Sequence, residues 1–139
     1  MPPLPSGLPE AVSNGEDLAR FLTQSSHFTQ RKVHPSAFLP SPKDKTTSAS
    51  RHGRQPIEHL IGLGRAATIG RLLYGAAIIK ARDVREAGLD VCADEPPERH
   101  ALIRHWPWIE SDPQLEKAKQ KECALRLAST AGLPLLFSP

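Results

Sequence analysis

The sequence predicts an α+β fold: one small domain with three or four short strands, packed by a long C-terminal helix and two shorter helices. Three observations carry that class. His100 to Arg104 alternates, with Ala101 and Ile103 on one face and His100, Leu102 and Arg104 on the other, as a half-buried strand does. Asp112-Pro113 joins a capping side chain to a proline at the first helical position, and Gly132 closes the helix that follows, after Ala131. Leu72 to Ile79 is an apolar run of strand length set between two shorter helical patterns. With 139 residues the chain suits a single domain with a real core.

In chain order, residues 1–13 hold Pro2, Pro3, Pro5 and Pro9 with Ser6 and Gly7, a composition that cannot sustain regular hydrogen bonding. They are expected to form a flexible tail ahead of a domain over 14–139. Asn14 as a cap, Glu16 and Asp17 in a first turn, and Leu18, Phe21 and Leu22 as a stripe predict a short helix at about 14–23. Ala37-Phe38-Leu39 before Pro40 suits a short strand, and Ser41 to Gly53 reads as a basic, Ser/Thr-rich loop. Pro56 with Ile57, Leu60 and Ile61 predicts a helix over 56–67. Ala81 to Ala87 before Gly88 predicts a two-turn helix, and Leu89 to Val91 a strand. On the last helix Leu115, Ala118, Leu125 and Ala128 mark a docking stripe beside Ala124, Leu127 and Ala131; Leu133 to Phe137 has strand length.

Charge is sorted along the chain. The net +3 conceals a middle, residues 31–85, with eleven Lys/Arg against three Asp/Glu, a net +8, between flanks of −2 and −3. An electropositive surface draws phosphates and acidic partners whatever fold displays it. No apolar run reaches membrane-spanning length and the start lacks the pattern of a secretory signal, so a cytosolic protein without membrane contact is expected. Cys92 and Cys123 lie far apart without a C-x-x-C pair, which favours reduced structural thiols over a disulfide or zinc site.

Gly62-Leu63-Gly64-Arg65-Ala66-Ala67 fits the letter of the dinucleotide fingerprint, but what precedes it scans as a helix and not as a buried strand. Close helix packing is the preferred role for these glycines. His27-Phe28-Thr29 resembles one half of the H-x-T/S pair of two-histidine phosphoesterases, while His100-Ala101-Leu102 lacks the hydroxyl that the second half needs. No metal-ligating spacing stands out among the six histidines, and no cofactor is expected.

Phe38-Leu39-Pro40, Arg51, Gly88 to Val91, Glu95 to Ile103, Trp106-Pro107 and the Ala/Leu-rich last helix together resemble a family of small uncharacterised bacterial proteins. That resemblance implies a coherent bacterial fold and no mechanism.

Two functional readings follow. The leading one is a non-enzymatic binding or accessory protein, bacterial or carried by a phage or mobile element. Its basic face would engage an acidic protein or nucleic-acid phosphates through Arg51, Arg54, Arg82 and Arg85, supported by Arg31 and Lys32. The alternative is a small enzyme acting on a phosphate or nucleotide, with His27 and His100 as acid and base and Arg51 as anion clamp. It requires these three side chains to meet in one pocket.

Overall fold

A computed structural model describes residues 4–52 and 55–137. Six strands form one antiparallel sheet: β1 (Asp17–Leu22), β2 (Thr47–Arg51), β3 (Gly75–Lys80), β4 (Asp90–Ala93), β5 (His100–Arg104) and β6 (Leu135–Leu136), in the spatial order β4-β5-β2-β1-β3-β6. Among the described residues three α-helices accompany it: α1 (Ile57–Ala67), α2 (Ala81–Glu86) and α3 (Pro113–Thr130). The class is α+β as the sequence predicts, with six strands in place of three or four.

The last two-thirds of the chain forms where its local signals put it. Asp112 accepts a hydrogen bond from the Leu115 N–H at 3.0 Å and caps α3, while Gly88 and Gly132 take the left-handed conformation, φ +87° and +64°, that ends α2 and follows α3. β5 divides its faces by the expected alternation, with Ala101 and Ile103 fully buried. On α3, however, Leu115 and Leu125 are exposed, and the helix docks through Cys123, Ala124, Leu127 and Ala131.

The first third departs from expectation. Asp17–Leu22 is a central strand and not a helix, because β3 bonds it along its whole length, from Asp17 opposite Lys80 to Leu22 opposite Gly75. Leu18 and Leu22 face the main core, whereas Ala19 and Phe21 face the second cluster beneath α1. Burial on both faces removes the polar alternation that marks a strand. Ala37 closes a 3-10 turn over Pro35–Ala37, with Phe38 buried behind it, so no strand forms there. Thr47–Arg51, expected as loop, is β2 at the centre of the sheet, bonded to β5 from Thr47 opposite Ile103 to Ser50 opposite His100.

The expected tail contacts the domain from Ser6 onward. Ser6 donates through N–H and Oγ to Glu95 at 3.0 and 2.6 Å, and Val12 enters the core. The strongest anchor is Arg51, whose side chain is completely buried. Its Nε and Nη2 each lie 2.8 Å from a Glu16 carboxylate oxygen, Nη1 donates to the Pro9 carbonyl at 2.6 Å, and Nη2 also reaches the Ala11 carbonyl at 3.5 Å. Arg99, itself buried, bonds the backbone of the same residue twice: its carbonyl accepts from the Arg51 N–H at 2.7 Å, and its side-chain Nε donates to the Arg51 carbonyl at 2.6 Å.

Both faces of the sheet carry packing, but unequally. The larger core lies against α2, α3 and the 35–38 segment; the smaller, under α1, joins Leu60 to Ala19 and Ala76. Helix α1 comes close because position 64 is glycine: a Cβ there would stand 2.8 Å from a Phe21 ring carbon and 2.9 Å from Leu73, while one at Gly62 would meet nothing. Both glycines lie inside α1, not in a loop at a helix N-terminus, so the dinucleotide fingerprint is only a coincidence of letters.

Two outcomes test this packing in chemical denaturation. Gly64→Ala loses about 1 kcal/mol because overpacking exceeds the gain in helix propensity, whereas Gly62→Ala gains about 0.5–1 kcal/mol. Arg51→Ala loses about 3 kcal/mol by stranding Glu16, and a double Arg51→Met/Glu16→Leu variant recovers much of it.

Candidate anion-binding site

β1 and β2 are neighbours at the centre of the sheet, yet they pair over two positions only, Leu18 opposite Arg51 and Ala19 opposite Ser50. Beyond these the strands part, and Arg20 occupies the opening. Its Nε donates to the Ala37 carbonyl at 2.8 Å and its Nη1 to the Ser48 carbonyl at 3.0 Å, so a side chain satisfies a backbone acceptor that the ladder leaves open.

The parted strands, the C-terminal half of α1 and the 36–42 loop enclose a cavity of about 780 Å³. Phe21, Leu63 and Ala66 supply apolar wall, Ser48 and Ser50 supply hydroxyls from β2, and Arg20, His27 and Arg71 all line it. Glu98 and His100 line it as well, from the start of β5. His100 stands opposite Ser50 across the strands, two positions along β2 from the carbonyl that Arg20 holds, which is about 7 Å.

The cationic groups meet without an acid between them. Part of Arg20 stays accessible, but its guanidinium sits deep enough that burial, with the charge of Arg71 beside it, pulls its pKa down to about 10. It stays charged at neutral pH, in a place where that charge is poorly solvated. Burial, and then the charge of Arg20, holds His27 below the ordinary imidazole range. Its Nδ1 is buried and has no hydrogen-bond partner among the described residues. Arg71 is exposed and makes one long bond, 3.4 Å, to the Ala67 carbonyl at the end of α1. A site built of poorly solvated positive charge gains when an anion enters.

At the other end His100 Nδ1 faces Asp94, 3.0 Å from Oδ2 and 3.1 Å from the carbonyl oxygen. Those acceptors favour a proton on Nδ1 and leave Nε2 the acceptor of the neutral ring. Glu98 lies 3.9 Å from His59 Nε2.

Of the residues expected at a site, His27 and His100 share this cavity and Arg51 does not. Arg51 faces the opposite side of the sheet, and Glu16 and the Pro9 carbonyl occupy its guanidinium, so it is neither an anion clamp nor a surface contact. Arg31 and Lys32 are exposed beside a shallower groove of about 400 Å³ against Leu125 and Ser129 of α3. Arg82 is exposed on α2; Arg85 bonds Asp90 at 3.2 Å and Asn14 at 2.6 Å. Arg54 lies outside the described residues. The basic block therefore contributes to separate places, and the groove holding Arg31 and Lys32 includes neither Arg82 nor Arg85. Sequence reading missed Arg20, in the acidic first thirty residues, and gave Arg71 no role. The one available signal was a charge interrupting the apolar Leu18-Ala19 and Phe21-Leu22 pairs.

Among the described residues no cluster of three His, Cys, Asp or Glu is placed to hold a metal ion, and no helix is long and apolar enough to cross a membrane. No family model, curated protein or solved structure matches the chain.

Burial also lowers the His52 pKa, with Asp17 opposing the shift and Arg99 adding to it. Histidines depressed in the folded state contribute stability that is present above the unfolded value near 6.5 and is lost as pH falls through the folded values. Denaturant titrations between pH 7.5 and 5 are expected to show stability falling below pH 6.5, with a shallower fall in a His27→Gln/His52→Gln variant.

Proposed function

We propose that the protein is a non-enzymatic binding protein for phosphate-bearing ligands, and that the cleft between the parted strands is where it binds them. The observation that carries this reading is the meeting of Arg20, Arg71 and His27 in one cavity whose lining carboxylate, Glu98, belongs to the His100 end. The sorted charge of the sequence supports it through Arg71 alone; the rest of the basic middle adds a long-range field that raises the rate of encounter with polyanions. A concave site with hydroxyls and an apolar wall suits a nucleotide or nucleic-acid phosphate better than a flat acidic protein surface does.

A second reading, an enzyme acting on a phosphate ester, is favoured by the shared cavity of His27 and His100 and by the Asp94 carboxylate that orients His100. It loses its intended clamp, Arg51, to the core. Turnover of p-nitrophenyl phosphate that disappears in His100→Ala would move the protein into that class; no turnover is expected.

The binding test uses a fluorescein-labelled single-stranded oligonucleotide at low salt, with poly-glutamate as the acidic-protein probe. Arg71→Glu is expected to weaken oligonucleotide binding roughly tenfold and to reduce the slope of log K against log salt by about one. Unchanged binding in Arg71→Glu would overturn the assignment of the cleft, and tighter binding of poly-glutamate than of the oligonucleotide would overturn the choice of phosphate.

A further inference from the structure

The cleft discriminates among phosphates by charge and by shape. Arg20 has two of its three nitrogens fixed by the Ala37 and Ser48 carbonyls, which leaves Nη2 as the nitrogen with no bond among the described residues and holds the guanidinium in one orientation before any ligand arrives. Arg71 adds a second guanidinium, and His27 adds an imidazole on the cavity wall that can take a proton. Two fixed charges and a third on demand are more than a phosphodiester, with its single negative charge, can use. A phosphate monoester carries about −1.5 to −2 near neutral pH.

The surroundings of that cluster add a constraint of shape. Thr23 and Gln24, leading into His27, and the 39–42 loop line the cavity beside Arg20. A terminal phosphate needs one opening to reach that cluster, whereas a strand threaded past it would need two. A phosphate alone also leaves most of the cavity empty: about 780 Å³ falls in the range of small-molecule sites, roughly 300–1,000 Å³. Phe21 and Leu63 on one side and the Ser48 and Ser50 hydroxyls on the other offer a flat apolar contact and hydrogen bonds to whatever the phosphate carries.

Resting on the phosphate-binding reading, we propose that the ligand is a nucleoside-monophosphate unit held by its terminal phosphate on Arg20, Arg71 and His27, either as a free nucleotide or as the 5′ end of a single strand. Binding then takes up a proton. The charged and titratable groups around His27 are Arg20 from β1, Arg71 from the turn after α1, and His34, whose N–H bonds the His27 carbonyl; Glu98 and His100 belong to the β5 end of the cavity. With only positive or neutral groups beside it, the empty site resists protonation of His27, and a dianion at that position reverses the preference. Affinity for the monoester therefore rises as pH falls from 8 to about 6.5, and the gain ends near pH 6, where the phosphate itself takes up a proton.

The test compares a 3′-fluorescein hexathymidylate carrying a 5′-phosphate with the same strand carrying a 5′-hydroxyl, by fluorescence anisotropy on the full chain at pH 6.5 and 8, with AMP as competitor. The phosphorylated strand is expected to bind about tenfold tighter at pH 6.5, with a smaller margin at pH 8. The margin should vanish in Arg71→Ala, return in part in Arg71→Lys, and lose its pH dependence in His27→Gln. Displacement by AMP identifies a free nucleotide as sufficient; failure of AMP with the margin intact identifies the strand end. Equal binding of the two strands, weakened alike by Arg71→Ala, overturns the terminal-phosphate inference while leaving the phosphate-binding reading in place. Binding of neither strand at low salt overturns both.

Discussion

The two central strands of this sheet are bonded to each other over two residues and then held apart by an arginine. The cavity proposed as the binding site depends on that separation. At the paired end Arg51 and Glu16 lock β2 to the segment entering β1, with the Pro9 carbonyl and Arg99 drawn into the same knot. At the other end Arg20 bridges from β1 to the Ala37 and Ser48 carbonyls. One guanidinium closes the sheet and the other opens it.

The two arginines differ in how their charge is met. Arg51 has a carboxylate whose pKa is lowered: burial would raise Glu16, but the hydrogen bonds and charge of Arg51 and the bonds from Ser13 outweigh it. It is a closed ion pair, and its role is to fix the amino-terminal segment on the core. Arg20 bonds only carbonyl dipoles, and the charge that acts on its pKa is that of another arginine. The imbalance is a cost in the empty protein that a bound anion would offset. It is a local feature, and the +8 of residues 31–85 does not describe it: Arg20 and His27 lie outside that block, while Arg51 within it is buried and neutralised.

Much of the second half was legible because its signals are local. The Asp112 cap, the terminal glycines of α2 and α3, and the two-residue period of β5 act within a few residues of themselves and hold in almost any tertiary setting. The first third was not legible, since β1 and β2 are central strands. Asn14, Glu16 and Asp17 look like a helix start, but Glu16 serves Arg51 and Ser13, and Asp17 pairs with Lys80 at 3.1 Å. Thr47-Ser48-Ala49-Ser50 has the composition of a loop and becomes a strand because β5 bonds all four positions. His27 and His100 could be named as candidates; that they share a cavity depends on where β1 and β2 part, which no local pattern encodes.

The sequence by itself determined the α+β class, the three helices, the strands whose periods or bounding glycines stand alone, and an excess of positive charge in the middle of the chain. Only the tertiary structure decided which charges face a ligand. Burial and pairing are properties of contacts between distant positions: Arg51 is neutralised by a glutamate thirty-five residues away, and Arg20 meets Arg71 across fifty-one. A linear count of charge weighs those arginines equally, and the fold makes one a structural pin and brings the other two together at the cavity proposed to bind an anion.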